Sequence, residues 1–226
     1  MSCSVCGASD FVDKTVLWPK LIADWQLGPE EVAYVDAQQG TCCKRCGANL
    51  RSIALARALI GFIGADLLLR ELPKHAAARS LSLLELNEAG TLSPILRQMP
   101  RYTFGAYPAV DMHALPYADA SFDLVVHSDT LEHVEHPVHA LTECARVLKP
   151  GGALCFTVPT IVGRMSRNRR GLAKSYHGNE AASPEDFVVH TEFGSDAWTL
   201  PLEAGFTRVE IFAVKFPAGI AYLARR

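Results

Sequence analysis

Residues 81–90, LSLLELNEAG, decide the fold of this chain: an apolar run ends in an acid, Glu85, and breaks into a polar loop that closes on Gly90. Such a run, bounded by loop residues, reads as a buried strand feeding a turn. Two stretches downstream repeat the pattern. FDLVVHSD at 122–129 is a second buried strand with a polar exit, and LKPGGALCFTVP at 148–159 is a glycine turn that opens a third. Strands in this order, with helical patterns between them, form an α/β doubly wound sheet whose strand ends converge on one ligand crevice.

Working outward, further strands are expected at Tyr102–Ala106, Thr207–Val214 and Gly219–Ala224. Helices are expected at Leu92–Gln98, Pro137–Leu148 and Ser195–Ala204, the last opening near Asp196 and stopping at Gly205. From Gly90 to Asp111 there is room for one helix and one strand only, so the sheet is shortened there. Upstream, Trp18, Leu21, Ile22 and Trp25 recur at helical spacing until Leu27-Gly28-Pro29, as a stripe that either packs in a core or faces a substrate. Asn49 is placed to cap a helix carrying Leu50, Ile53, Leu55 and Leu59, with Gly61 and Gly64 marking a bend or restart. The expected units are therefore a cysteine module at 1–48, a helical connector at 49–75 and the α/β domain at 76–226.

Seven cysteines include two Cys-x-x-Cys pairs, Cys3 with Cys6 and Cys43 with Cys46, each followed by glycine. Two such turns can complete a tetrahedral thiolate site for structural zinc. Reduced or redox-active thiols are the competing reading, and Cys42 is an alternative to Cys43 as ligand. Cys144 and Cys155 lie in apolar patterns and read as core residues.

With 226 residues, 49% of them hydrophobic, the chain can fill one ordinary core plus a small appendage. A net charge of −2 gives no overall attraction to polyanions, which disfavours nucleic acid as partner. The start, MSCSVCGASD, has neither the basic nor the apolar segment of a signal peptide, so a cytoplasmic location is expected. ALIGFIGADLLL at 58–69 is too short to span a bilayer, so no membrane span is expected.

The phrases LLELNEAG, DMHALPYADASFDLVV, LEHV and RVLKPGG together make the chain from Leu81 onward resemble a class I S-adenosylmethionine-dependent methyltransferase of the type 11 group. The cysteine pairs followed by NLRS resemble the zinc-ribbon-like extensions of some such enzymes. The resemblance implies a Rossmann-like, mostly parallel sheet with an antiparallel C-terminal strand, and S-adenosylmethionine as cofactor. Cofactor contacts are then expected from Glu85, the loop Asn87 to Gly90, Asp111 and Met112 at the adenine, and His127, Ser128 and Asp129 after the fourth strand. Glu85 as a solvated strand end and Asp111 as a turn residue are the plain alternatives. The loop supplies a single glycine, and FGAYP carries no acid at the end of the second strand.

Thr160 to Glu192 reads as an insertion covering the substrate. Within it His177, His190 and Glu192 are the candidates for a general base, with His113 as a weaker alternative. Arg164, Arg167, Arg169, Arg170 and Lys174 form a basic run, either solvated or attracting an acidic or phosphorylated substrate. Among His133, His136 and His139 the register is broken by Pro137, which points to surface or capping roles rather than a metal. Together these features predict methyl transfer from S-adenosylmethionine to an oxygen or nitrogen of a small molecule or glycan. A non-catalytic protein-binding module and an RNA methyltransferase are the alternatives.

Overall fold

The computed structural model describes residues 1–177 and 184–226. Its N-terminal part runs β1 (Phe11–Val12), α1 (Pro19–Asp24), α2 (Pro29–Gly40), β2 (Cys42–Cys43) and α3 (Leu50–Ile63), with β1 and β2 paired antiparallel. The first helix falls where the tryptophan spacing places it, and it turns Leu21 and Trp25 inward until each is 1% exposed. Apolar spacing gives no hint of α2, which buries only Val35, Gln38 and Gly40. Its signals lie at its start: Pro29 with φ pre-set for a helix, and Glu31, whose carboxylate accepts the Gly28 N–H at 2.9 Å.

Asn49 caps α3 as expected, its Oδ1 accepting the Ser52 N–H at 2.8 Å. The helix does not bend at Gly61. A Cβ there would lie 2.7 Å from the Phe212 ring, so the glycine serves close packing, and the stop comes at Gly64 with φ +71°.

The remainder runs α4 (Ala76–Arg79), β3 (Ser82–Leu86), α5 (Ser93–Leu96), β4 (Arg101–Gly105), β5 (Phe122–Ser128), α6 (Pro137–Val147) and β6 (Leu148–Thr157). Then come β7 (Thr160–Ile161), β8 (Arg167–Asn168), β9 (Thr191–Gly194), α7 (Thr199–Glu203), β10 (Arg208–Val214) and β11 (Gly219–Arg225). The main sheet has six strands in the order β10-β11-β6-β5-β3-β4. Pairs among β4, β3, β5 and β6 are parallel, while β11 runs antiparallel to both β6 and β10. No strand lies beyond β4 among the described residues, in line with the short Gly90–Asp111 segment. After β3 the chain adds β4 on one side and β5 on the other, so the crevice opens at the tips of β3 and β5.

Alternation along the strands builds two cores. Leu124 and Val126 of β5 join Leu83 and the buried face of α3 on one side, whereas Val125 joins Leu84, Leu154 and the α6 residues Leu141 and Cys144 on the other. Each fully buried Leu or Val contributes about 1.5–3 kcal/mol of transfer free energy. Thus the 49–75 segment packs directly on the sheet. The helix expected over Ser195–Ala204 shortens to α7, because Asp196 spends its carboxylate on Ser166, whose N–H and hydroxyl donate to it at 2.6 and 2.7 Å.

A third cluster, Leu21, Trp25, Leu27 and Val35 with Ile161 and Val189, docks the N-terminal helices on the insertion. There the Trp25 indole N–H donates to Ser175 Oγ at 3.0 Å. The insertion is not a bare loop, since β7, β9 and β8 form a small mixed sheet.

Candidate functional site

At the tips of β3 and β5 lies a cavity of about 1080 Å³, large enough for a nucleoside-sized ligand and a second molecule. Its strand-tip half is lined by Leu86, Asn87, Gly90, Gly105 and Met112, with Asp111 at the rim. Asn87 takes φ +56° and Gly90 φ +55°. Asparagine is among the side-chain-bearing residues that best tolerate this left-handed backbone, so the loop makes both left-handed turns with a single glycine. Asn87 Oδ1 accepts the Tyr107 N–H at 3.1 Å, and Glu88 turns outward to Arg97 at 2.5 Å, so neither side chain plugs the cavity. At Gly105 a Cβ would sit 2.9 Å from the Tyr117 hydroxyl and 3.0 Å from Val110, so the glycine lets these side chains pack closely against the end of β4 beside the cavity.

Glu85 lies elsewhere than expected. It sits one residue inside the strand, fully buried, with Oε1 accepting the Ala89 N–H at 2.7 Å and the Ser93 hydroxyl, and Oε2 accepting Tyr102 OH at 2.5 Å. Its carboxylate ties down the loop instead of facing the ligand. Burial and the Glu85 hydrogen bond push the Tyr102 phenol up to about 12. Asp111 stays half exposed and accepts both the N–H and Nδ1–H of His113, at 2.8 and 2.9 Å. Ser128 reaches the cavity and hydrogen-bonds Thr157 Oγ1 at 2.8 Å. His127, one residue earlier, faces the opposite side of the sheet, fully buried and stacked on Phe156 at 5.2 Å. Burial drags its pKa down to about 4, so it is a neutral core residue and not a cofactor contact.

The other half of the cavity joins three distant segments: Trp18, Gln39 and Ser52 from the N-terminal part, His133 and Glu135 after β5, and His177, Phe187 and His190 from the insertion. Asp129, at the β5 exit with φ +50°, is gripped by Arg51 at 3.0 Å and by Gln39 Nε2 at 3.2 Å. Burial raises its pKa, and Arg51 opposes that rise. The most pointed arrangement is Glu132, 1% exposed, with Oε1 3.3 Å from His177 Nδ1 and 3.7 Å from His133 Nε2. Burial would lift its pKa, but the His177 hydrogen bond and the two nearby imidazoles prevail and hold it below the ordinary carboxylate range. Sequence reading passes over Glu132, although an acid beside a histidine in the otherwise apolar LEHV was the available signal. His190 lines the same wall, its N–H bound to Glu132 O at 2.8 Å and its pKa lowered by burial. The weaker candidate His113 lies at the rim beside Asp111, with His136 at 5.8 Å and His139 at 6.1 Å between ring centroids.

Glu192 is not available as a base. It is 2% exposed and held by Arg167 at 2.8 Å, by Arg169, and at 4.0 Å by Arg164. Arg164 also pairs with Glu31 and donates to Trp25 O at 2.8 Å, and Arg169 donates to Asp24 O at 3.2 Å, so these two arginines clamp the insertion to the N-terminal helices while Arg167 is held within it by Glu192.

The four expected cysteines converge. Cys3 and Cys46 Sγ are 3.6 Å apart, as are Cys6 and Cys43, and all four lie within 4.8 Å of one another. Zn–S bonds of about 2.3 Å in a tetrahedron put sulfurs about 3.8 Å apart, so the donor set fits zinc. Both turns share one geometry: Gly7 and Gly47 have φ +80° and +75°, and each donates to the first cysteine's carbonyl at 2.8 Å. For Cys43 the burial penalty is outweighed by amide hydrogen bonds from Cys46 and Arg45, bringing the thiol down to about 7. Cys42 points away, its thiol donating to Gln39 O at 3.2 Å, and Cys144 and Cys155 are buried core residues.

Sheet order, the switch point and the cavity over it define a Rossmann-like, doubly wound α/β domain with an antiparallel C-terminal strand. Residues 92–156 match the methyltransferase domain family of the type 11 group. The ubiquinone biosynthesis O-methyltransferase of Paracidovorax citrulli is 34% identical over 138 residues, covering 60% of this chain and 47% of that protein. Its namesake from Cereibacter sphaeroides is 29% identical over 135 residues, covering 60% and 44%. The chain thus spans about half the length of the curated relatives it matches. A solved S-adenosylmethionine-dependent methyltransferase from Mesorhizobium loti is 16% identical, with 74% of this chain and all of that one covered at a TM-score of 0.42. No helix among the described residues is long and apolar enough to cross a membrane.

Proposed function

We propose that the protein transfers the methyl group of S-adenosylmethionine to an oxygen or nitrogen of a small molecule or glycan. The open cavity at the switch point carries this reading, because both a cofactor and an acceptor have room there beside a buried carboxylate–imidazole pair. When bound, S-adenosylmethionine supplies a methyl group already activated on a sulfonium. The protein's task is therefore alignment and exclusion of water. The residues suited to hold the cofactor are Asn87 and Gly90 through backbone amides, Met112 through its apolar face, Asp111 at the rim and Ser128 through its hydroxyl. Glu85 supports that loop from beneath.

For proton removal we assign His177. Glu132 accepts its Nδ1–H, which leaves Nε2 as the basic atom on a ring that lines the cavity. His190 is the second candidate on the same wall. Four thiolates are assigned to a structural zinc. Similarity to ubiquinone biosynthesis O-methyltransferases favours a small molecule over a glycan.

Calorimetry of the zinc-loaded chain with S-adenosylhomocysteine tests the reading. Saturable one-to-one binding is expected, together with methyl transfer from radiolabelled cofactor that His177→Ala lowers by about 10²–10⁴-fold. Absence of saturable binding overturns the proposal and leaves a partner-binding module.

A further inference from the structure

The described residues that line the cavity carry no fixed positive charge. Among its described lining residues five are carboxylates, Glu88, Asp111, Asp129, Glu135 and Asp186, four are histidines, and none is Lys or Arg. Nearby cations are spent on partners: Arg51 on Asp129, and Arg164, Arg167 and Arg169 on Glu31 and Glu192. On the cofactor side Glu88 faces Arg97 and Asp111 faces His113. On the acceptor side the carboxylates are Glu135, which meets the exposed Arg170 only at 3.7 Å, and Asp186. Trp18 and Phe187 present aromatic surface to the same space. Carboxylates and aromatic faces together select cations, and an anionic group would enter with no counterion.

Resting on the methyltransferase reading above, we propose that the acceptor is an amine, drawn in as its ammonium ion by Glu135 and Asp186 against the aromatic wall. The reaction balances with no further reagent. The ammonium nitrogen gives its proton to His177 Nε2, and its freed lone pair forms the N–C bond as the C–S bond breaks. The C–S electron pair stays on sulfur as a neutral thioether, and His177 passes its proton to solvent.

The test uses the zinc-loaded chain saturated with S-adenosylhomocysteine, titrated calorimetrically with three probes of one shape: tyramine as cation, 4-ethylphenol as neutral and 4-hydroxyphenylacetate as anion. Tyramine is expected to bind at least about tenfold tighter than the neutral probe, with the anion weakest. The double variant Glu135→Gln, Asp186→Asn is expected to erase the gap between cation and neutral. An anion that binds as well as the amine, equal binding of amine and neutral, or no binding of the amine overturns the assignment. Affinity for S-adenosylhomocysteine is measured first: its absence defeats the methyltransferase reading, whereas its presence with the probe order reversed defeats the amine alone.

Discussion

The two halves of the cavity are built differently. The strand-tip half comes from short stretches of chain, and its shape follows from where β3, β4 and β5 stop. The opposite half is assembled from residues that meet across the whole chain, such as Arg164 with Glu31, 133 positions apart, and it holds together through ion pairs, a docked tryptophan and a thiolate cluster. A cofactor common to many enzymes can rest on the first kind of wall. An acceptor particular to one enzyme is read by the second, which can change without disturbing the sheet.

That contrast is sharpest when the assembled half is dismantled. Structural zinc sites supply on the order of 10 kcal/mol to small domains, so stripping the metal, or Cys43→Ser, is expected to unfold the N-terminal module and lower the melting temperature. A zinc assay alongside thermal denaturation checks it, and an unchanged melting curve in metal-free protein would separate the thiolates from stability. Glu192→Ala leaves Arg169 buried without its partner and is expected to cost about 3–5 kcal/mol in urea denaturation, with S-adenosylhomocysteine affinity in the surviving folded fraction largely kept. Loss of cofactor binding as large as the loss of stability would break the division into halves.

Within the sheet, His127 is neutral when folded, with its pKa down from 6.5 to about 4. The unfolded chain takes up a proton as pH falls below 6.5 while the folded chain does not until about 4, so stability drops on acidification across that window by roughly 3 kcal/mol. His127→Leu is expected to flatten that slope, and a slope that persists in the variant would assign it to other groups. The smallest effect is expected at the strand tip: Gly105→Ala pushes a methyl against Tyr117 and Val110, costing about 1–3 kcal/mol and weakening cofactor binding more than it weakens the fold.

How much of this is legible in sequence divides along the same line. Runs such as LSLLEL and FDLVV are apolar on both faces because parallel strands are covered on both sides, and β3, β5 and β6 are found from them directly. The cysteine spacing likewise picks out four sulfurs that the fold brings together. Errors at the strand tips are errors of one residue: the strand continues past His127, so alternation hands the cavity to Ser128, and Glu85 stops short of it by the same step. For the assembled half, local pattern carries nothing. Glu192 looks like a free acid until Arg167 and Arg169 fold across from a neighbouring strand and turn, and Glu132 gains its meaning only when His177 arrives from 45 residues away.

Asn87 shows what a substitution for glycine can add. A glycine would make the same left-handed corner and nothing more, whereas the asparagine amide stitches that corner to Tyr107 and, at 3.5 Å, to Thr130. The corner is thereby set before any nucleoside reaches it. Less disorder remains to be quenched on arrival, so tight grip need not come from additional contacts, and the cofactor should enter a doorway that is already standing open.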